Sequence, residues 1–119
     1  MARFRLTAPK IQPLEKHVVE ACITILNLRH YWTKRLNTGV FRTLDGRWHT
    51  EGTKGDPDYV ALHRTFPGFL LEFKRPGGKL TPEQYERHYE IRLGYQIDIA
   101  IVDSTEALER WLDAHENRF

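Results

Sequence analysis

The segment from residue 69 to residue 102 constrains the fold more than any other part of the chain. Phe69–Arg75 is typical of a strand, a Pro-Gly-Gly run breaks the chain, and Thr81 then provides the N-cap of a helix. This helix is predicted to run to about Leu93, where Gly94 ends it, and Ile97–Val102 is typical of a short buried strand. A crossover helix between two strands implies that the strands are parallel in one sheet.

The rest of the chain adds a helix at each end and four more strands. The predicted order, α-β-β-β-β-β-α-β-α, indicates an α/β fold with one mixed β-sheet flanked by helices. Residues 1–13 are predicted to be an N-terminal arm, and residues 14–119 a single domain. The additional elements are a helix over Leu14–Leu28, strands over 30–36, 40–44, 47–51 and 58–62 with a two-residue turn at Asp45-Gly46, and a last helix capped by Ser104.

Composition excludes several classes of protein. The chain is 40% hydrophobic and 29% charged, which is enough apolar material for one core and too much for a disordered chain. It contains no apolar run of the roughly 18 residues that a membrane helix needs, and its first residues lack the apolar stretch of a signal peptide. The single cysteine, Cys22, cannot form an internal disulfide, which favours a reducing, cytoplasmic interior.

Charge is distributed unevenly along the chain. Residues 1–55 contain ten Lys/Arg and four Asp/Glu, whereas residues 56–119 contain eight and twelve. A basic half favours a polyanionic partner, and an ordinary solvated surface is the alternative.

The pattern that indicates chemistry is Asp58 before one strand and Glu72-Phe73-Lys74 within the next. Because side chains alternate along a strand, Glu72 and Lys74 are predicted to project from the same face. A hairpin pairing would place Asp58 beside Glu72, and two converging carboxylates suit a hard cation such as Mg²⁺ or Mn²⁺. A neighbouring lysine can orient water or stabilise developing negative charge. The alternative is a simple Glu–Lys salt bridge on an exposed sheet face.

The first helix contains an acid in an unexpected position. On a helical wheel, Glu15 lies within the apolar arc, in line with Val19, Cys22 and Leu26, whereas Glu20 lies on the solvated face. A carboxylate that points inward requires a partner, because its desolvation alone costs several kcal/mol.

A series of short motifs extends these observations over most of the chain. It resembles the PD-(D/E)XK nuclease superfamily and, within it, the VRR-NUC (virus-type replication-repair nuclease) domain of the stand-alone phage and bacterial type. The resemblance covers about residues 14–112 and implies a restriction-endonuclease-like fold. The matching residues are Glu15, Arg35-Leu36-Asn37-Thr38-Gly39, Gly55-Asp56-Pro57-Asp58, Leu71-Glu72-Phe73-Lys74, Leu80-Thr81-Pro82-Glu83-Gln84 and Gly94.

The resemblance implies a role for each residue of the site. Asp58 and Glu72 would be metal ligands, and the backbone carbonyl of Phe73 would be a third. Lys74 would be the catalytic lysine, and Gln84 would be the helix glutamine that supports the site.

Other positions have competing interpretations. Glu15 would be the acid of the N-terminal helix near the metal, in agreement with its place on the wheel. Gln84 is equally well explained as half of a capping box, and both roles can hold together. We prefer Asp58 to Asp56 as the ligand, because Asp56 more simply shapes the turn. His88 is expected to be a surface or core-edge residue and is left out of the site.

The cations that flank the site are candidate phosphate contacts, with plain surface charge as the alternative for each. Trp32, Trp48 and Phe41 could stack on unpaired bases, although burial in the core is expected for at least two of them. The candidate DNA-binding residues are Arg35, Arg75, Lys79, Lys34 and Lys54.

We therefore expect a Mg²⁺- or Mn²⁺-dependent endodeoxyribonuclease. The resemblance implies branched or junction-containing DNA as substrate, in replication, recombination or repair, and a homodimer suited to two-fold symmetric junctions. Neither a membrane nor a small-molecule substrate is expected. The alternatives are an inactive nucleic-acid-binding module with the same fold, a restriction-type duplex endonuclease, and an unrelated protein with fortuitous spacing.

Overall fold

The chain forms three helices and six strands within residues 15–36, 39–42, 44, 46–51 and 55–119, the part described by a computed structural model. The predicted order of helices and strands is confirmed, and the expected N-terminal arm lies outside the described residues. In chain order the elements are α1 (Glu15–Leu28), β1 (Trp32–Arg35), β2 (Gly39–Arg42), β3 (Trp48–Glu51), β4 (Tyr59–Leu62), β5 (Phe69–Phe73), α2 (Pro82–Tyr95), β6 (Ile99–Val102) and α3 (Thr105–Glu116).

Four of the strands form a mixed sheet in the order β1-β4-β5-β6. β4 pairs antiparallel with both β1 and β5, whereas β5 pairs parallel with β6, so that Leu71 lies opposite Ala100. The parallel pair confirms the prediction from the crossover helix, since α2 connects β5 to β6. β5, which carries Glu72, is therefore an internal strand of the sheet.

The other two strands form a separate two-stranded sheet, so the prediction that all strands join one sheet is wrong. β2 and β3 pair antiparallel with each other, and a hairpin of this kind satisfies half of its backbone hydrogen bonds internally. The last register pair is Arg42 with Trp48. The turn predicted at Asp45-Gly46 cannot be followed further, because Asp45 lies outside the described residues.

The face of the sheet that carries Leu71 and Phe73 packs against α1 and α3. The ring centroids of Phe69 and Trp111 lie 4.4 Å apart, which fixes α3 on the internal strands. Burying each large apolar side chain contributes about 1.5–3 kcal/mol, so this layer holds β4 and β5 in place. The helix residues buried in this core are Cys22, Leu26, Leu108 and Leu112, and those of the sheet are Ala61, Phe69, Leu71, Phe73, Ala100 and Val102.

Helix α2 lies on the opposite face, where the alternation of β5 directs Glu72. It begins with the predicted cap, since the Thr81 hydroxyl accepts a hydrogen bond from the backbone N–H of Gln84. It ends later than predicted: Gly94 remains helical, and Gln96 takes the left-handed conformation with φ of 55° that ends the helix. In the described ranges, no helix has the length and apolar character required to cross a membrane.

Candidate active site

Asp58 lies immediately before β4 and is held by three backbone contacts. Its N–H donates to the carbonyl of Leu71 at 2.8 Å, and its carbonyl accepts from the N–H of Leu36 at 2.8 Å. Its carboxylate oxygen Oδ2 accepts from the N–H of Phe73 at 2.9 Å. The side chain is therefore fixed against β5, next to Glu72, as the hairpin argument predicts.

Glu72, Gln84 and Lys74 form a continuous hydrogen-bonded chain. The amide nitrogen Nε2 of Gln84 donates to Oε1 of Glu72 at 2.5 Å. The amide oxygen Oε1 of Gln84 accepts from the Lys74 ammonium at 2.6 Å, and that ammonium also lies 3.4 Å from Oε1 of Glu72. The prediction that Glu72 and Lys74 share a face is confirmed, and Glu72 is only 2% exposed rather than on an open face.

Glu72 has one oxygen without a partner. Within the described residues, Oε2 of Glu72 is buried and accepts no hydrogen bond. Burial and, to a smaller extent, the negative charge of Asp58 raise the pKa of Glu72 to about 7, although Lys74 opposes this shift. An unpaired carboxylate oxygen beside a second carboxylate is an environment that favours either a proton or a cation.

Asp58 also lines an open cleft of about 470 Å³ between α1 and the sheet. Arg35, Tyr59 and Phe73 form the wall on the side of the sheet, and Glu15 forms part of the wall on the side of α1. Burial raises the pKa of Asp58, and the Phe73 N–H and Lys74 oppose this shift, whereas the Glu15 carboxylate adds to it. The cleft therefore leads to Asp58, and Glu72 is not among the residues that line it.

Glu15 does not point into the core as predicted from the helical wheel. It is the first residue of α1, and its side chain is exposed at the cleft. The apolar arc of α1 is buried only further along the helix, at Cys22 and Leu26, so the first turn extends beyond the core. The Glu15 carboxylate nevertheless raises the pKa of Asp58, which places the charge of Glu15 near the site.

The donors present have the chemistry of a hard-cation site. Asp58 and Glu72 supply carboxylate oxygens, and the unpartnered Oε2 of Glu72 fits such an ion. In the portions of the chain described, no group of three or more His, Cys, Asp or Glu side chains is arranged to hold a metal. Glu15 therefore does not complete a three-carboxylate cluster with this pair.

The loop before Asp58 is docked on α2. Gly55 has φ of 91°, and a Cβ there would lie 2.6 Å from the carbonyl oxygen of Glu83. Asp56 accepts a 2.6 Å hydrogen bond from Nε of Arg87, which explains why Asp56 faces the helix and Asp58 the sheet. Arg87 was missed in the sequence, although its place one turn from Gln84 toward the C-terminus is the signal that links it to this helix face.

On α2, Gln84 makes the contacts that were predicted for it, whereas His88 does not lie where it was expected. Gln84 makes both halves of the capping box with Thr81 as well as the contacts to the site, so both interpretations hold. His88 is buried rather than at the surface, and neither ring nitrogen has a hydrogen-bond partner among the described residues. Its burial lowers its pKa, which keeps the ring neutral.

The candidate DNA-binding cations are dispersed around the site. Of the four candidates within the described residues, Arg35 alone lines the cleft. Lys34 is exposed on β1, and Arg75 and Lys79 are exposed in the loop between β5 and α2. Lys54 lies outside the described residues.

The candidate site rests on this chain's own residues rather than on similarity to a known protein. Asp58, Glu72, Lys74 and Gln84, which are separate in the sequence, meet at one place in the fold. No protein-family model matches the chain, and no curated protein is significantly similar to it.

Proposed function

We propose that the chain is a metal-dependent nuclease with a PD-(D/E)XK fold of the VRR-NUC type, which hydrolyses phosphodiester bonds in branched DNA. The observation that carries the proposal is the hydrogen-bonded chain from Glu72 through Gln84 to Lys74, next to Asp58. Burial of a carboxylate such as Glu72 costs stability, and carboxylates with strongly shifted pKa values beside a charged partner cluster at functional sites.

Asp58 and Glu72 would hold Mg²⁺ or Mn²⁺, with the backbone carbonyl of Phe73 as an additional ligand. The ion supplies a polarised phosphoryl oxygen and a bound water of lowered pKa. The unpartnered Oε2 of Glu72 and the mutual repulsion that raises the pKa of Glu72 support this assignment, since a cation relieves both.

Lys74 is the group that acts on the reacting phosphate. Its ammonium is held by Gln84 and Glu72 and is mostly buried, so its orientation is fixed before substrate binds. Its remaining donor can orient the attacking water or stabilise the negative charge that develops on the phosphate oxygens. Gln84 positions both partners by binding them with the two ends of one amide.

The cleft supplies the route for the DNA backbone. Arg35 lies in its wall, opposite the acidic end of α1, where it can contact a phosphate adjacent to the one that reacts. Arg75 and Lys79 follow β5 directly and extend the positive charge beyond Lys74. These cations would position DNA without reading its sequence, which favours recognition of DNA structure.

A cleavage assay on matched synthetic DNAs tests the proposal. The set contains a duplex, a single strand, a flap, a splayed arm and a four-way junction, each with Mg²⁺, Mn²⁺ or EDTA. Wild type is expected to cut branched substrates only with metal, and Lys74→Ala to lose this activity. Arg110→Ala, which removes an exposed cation on α3, is the matched control and is expected to cut normally.

Two results would contradict the proposal. Binding of these DNAs without cutting by either metal would support an inactive binding module instead. Cutting of one duplex sequence only would support a restriction-type endonuclease. Analytical ultracentrifugation of the same protein tests the expected homodimer.

A further inference from the structure

A second open cavity lies at the other end of the β1–β4 ladder from the catalytic cleft. In this ladder Trp32 pairs with Leu62 at one end, and Arg35 pairs with Tyr59, next to Asp58, at the other. The cavity has a volume of about 910 Å³, and the residues that define its character are His30, Tyr31, Trp32, Leu62, His63 and Arg64.

The wall of this cavity is aromatic and rigid. The His63 ring lies 4.7 Å from the Tyr31 ring, and Nδ1 of His63 accepts from the N–H of Thr65 at 2.9 Å. Nε2 of His63 lies 3.1 Å from the carbonyl of Arg29 and donates to it, so the backbone holds the ring through both of its nitrogens. Trp32 differs from these fixed rings, because 56% of its surface is exposed.

The charge of the cavity is positive. Among the described residues, no Asp or Glu lines it, and Arg64 provides a cation at its surface. Arg64 lies beyond the Trp32–Leu62 pair on one side, and Lys34, outside the cavity lining, lies on the other side along β1. Neither forms a salt bridge with any described residue, so both charges are available to an anion. An exposed indole ring beside uncompensated cations is the combination that binds unpaired nucleotides, with a base on the ring and phosphates at the cations.

Strand β1 connects this cavity with the catalytic cleft. It is an edge strand of the sheet, and the exposed Lys34 lies between Trp32 and Arg35. Trp32 and Arg35 are separated by about 10 Å, at roughly 3.3 Å per residue of an extended strand. Trp32 and Lys34 project from one face of β1 and Arg35 from the other, so a nucleic-acid strand would have to run along the exposed edge, past Lys34, to reach Arg35 and Asp58.

We infer that this cavity and the adjoining part of β1 bind a single-stranded nucleic-acid segment, with a base stacked on Trp32 and phosphates bound by Arg64 in the cavity and by Lys34 on β1. In a duplex the faces of the bases are covered by their neighbours, so only an unpaired segment can offer one to Trp32. The direction of this segment toward Asp58 rests on the proposed nuclease function, whereas its binding does not. The substrate would thus be DNA with an unpaired arm, such as a flap or a splayed arm.

Binding measured without catalysis tests the inference. The probes are a fluorescein-labelled oligothymidylate, the corresponding oligouridylate and a blunt duplex, and fluorescence anisotropy is recorded in EDTA. Trp32→Ala and Arg64→Ala are each expected to weaken oligothymidylate binding by about fivefold or more, and Trp32→Phe to retain most of it. The two single-stranded probes distinguish DNA from RNA as the bound strand.

The controls remove similar groups elsewhere. Tyr89→Ala removes an exposed ring from α2, and Arg110→Ala removes an exposed cation from α3. Both are expected to bind as wild type does. The site assignment is overturned if Trp32→Ala and Arg64→Ala bind as tightly as these controls, or if wild type prefers the blunt duplex. If the site assignment fails in this way, metal-dependent cutting of other DNAs would still support the proposed nuclease function. If oligothymidylate binding depends on Trp32 and Arg64 but no DNA is cut, the nuclease function is refuted and the binding site stands.

Discussion

Gln84 donates to Glu72 at 2.5 Å through the same side-chain amide whose oxygen receives the Lys74 ammonium at 2.6 Å. That oxygen also accepts the N–H of Thr81 at 2.9 Å, which is half of the capping box. One amide therefore joins the start of α2 to both Glu72 and Lys74. The structural and functional contributions of the Gln84 side chain can be separated, because the other half of the capping box uses the Thr81 hydroxyl and the backbone N–H of Gln84 instead of this amide.

Gln84→Ala is expected to reduce DNA cleavage by about 10- to 100-fold, because Glu72 and Lys74 lose their shared positioning partner. It is also expected to lower the free energy of unfolding by about 1 kcal/mol through loss of the cap. Thr81→Ala removes the hydroxyl of the cap but leaves the amide contacts to the site. It is expected to lose similar stability and to retain cleavage.

Steady-state cleavage and urea denaturation of the two variants provide the comparison. Equal losses of activity in Gln84→Ala and Thr81→Ala would show that Gln84 acts only as a cap.

Metal-free protein is expected to lose stability as the pH rises from about 4.5 to about 7. The folded state raises the pKa of Glu72 to about 7 through burial and the nearby Asp58, so it holds a proton that the unfolded chain has released. Since the folded state then binds more protons, the free energy of unfolding falls with rising pH, by at most about 1.4 kcal/mol per pH unit. Urea denaturation in EDTA across this range measures the slope.

Glu72→Gln removes this titration and is expected to flatten that part of the pH dependence. Glu109→Gln, which changes an exposed acid on α3, is expected to leave the slope as in wild type. A slope that persists in Glu72→Gln would assign it to another group.

The sequence predicted the parts of the fold that depend on local patterns and missed those that depend on distant partners. The crossover from β5 to β6 and the shared face of Glu72 and Lys74 follow from periodicity and chain breaks, and both are confirmed. The exposed position of Glu15 does not follow from a helical wheel, because the wheel cannot show where along α1 the core ends. Likewise, the pairing of Arg87 with Asp56 joins residues 31 apart, which no local pattern encodes.

Gly55→Ala is expected to destabilise the protein more than Gly77→Ala does. Both glycines have positive φ, at 91° and 75°, so a side chain is strained at either position. Only at Gly55 would the added Cβ also meet an atom, the carbonyl oxygen of Glu83 at 2.6 Å, whereas nothing lies within 4 Å at Gly77. We expect losses of about 1 kcal/mol for Gly77→Ala and about 2–4 kcal/mol for Gly55→Ala, measured by urea denaturation. Equal losses would mean that the loop is not held against α2.

The Asp56–Arg87 ion pair is expected to hold the Asp58 loop in place for metal binding. Its 2.6 Å contact is partly buried, which reduces screening by solvent. A double-mutant cycle with Asp56→Asn and Arg87→Gln is expected to give a coupling energy of about 1 kcal/mol, because the cycle cancels the other contacts of each residue. Mg²⁺ affinity, measured by calorimetry, is expected to fall in both single variants. Glu90→Gln removes only the other carboxylate partner of Arg87, at 3.2 Å, and is expected to bind Mg²⁺ as wild type does. Unchanged Mg²⁺ affinity in Arg87→Gln would limit this pair to a role in stability.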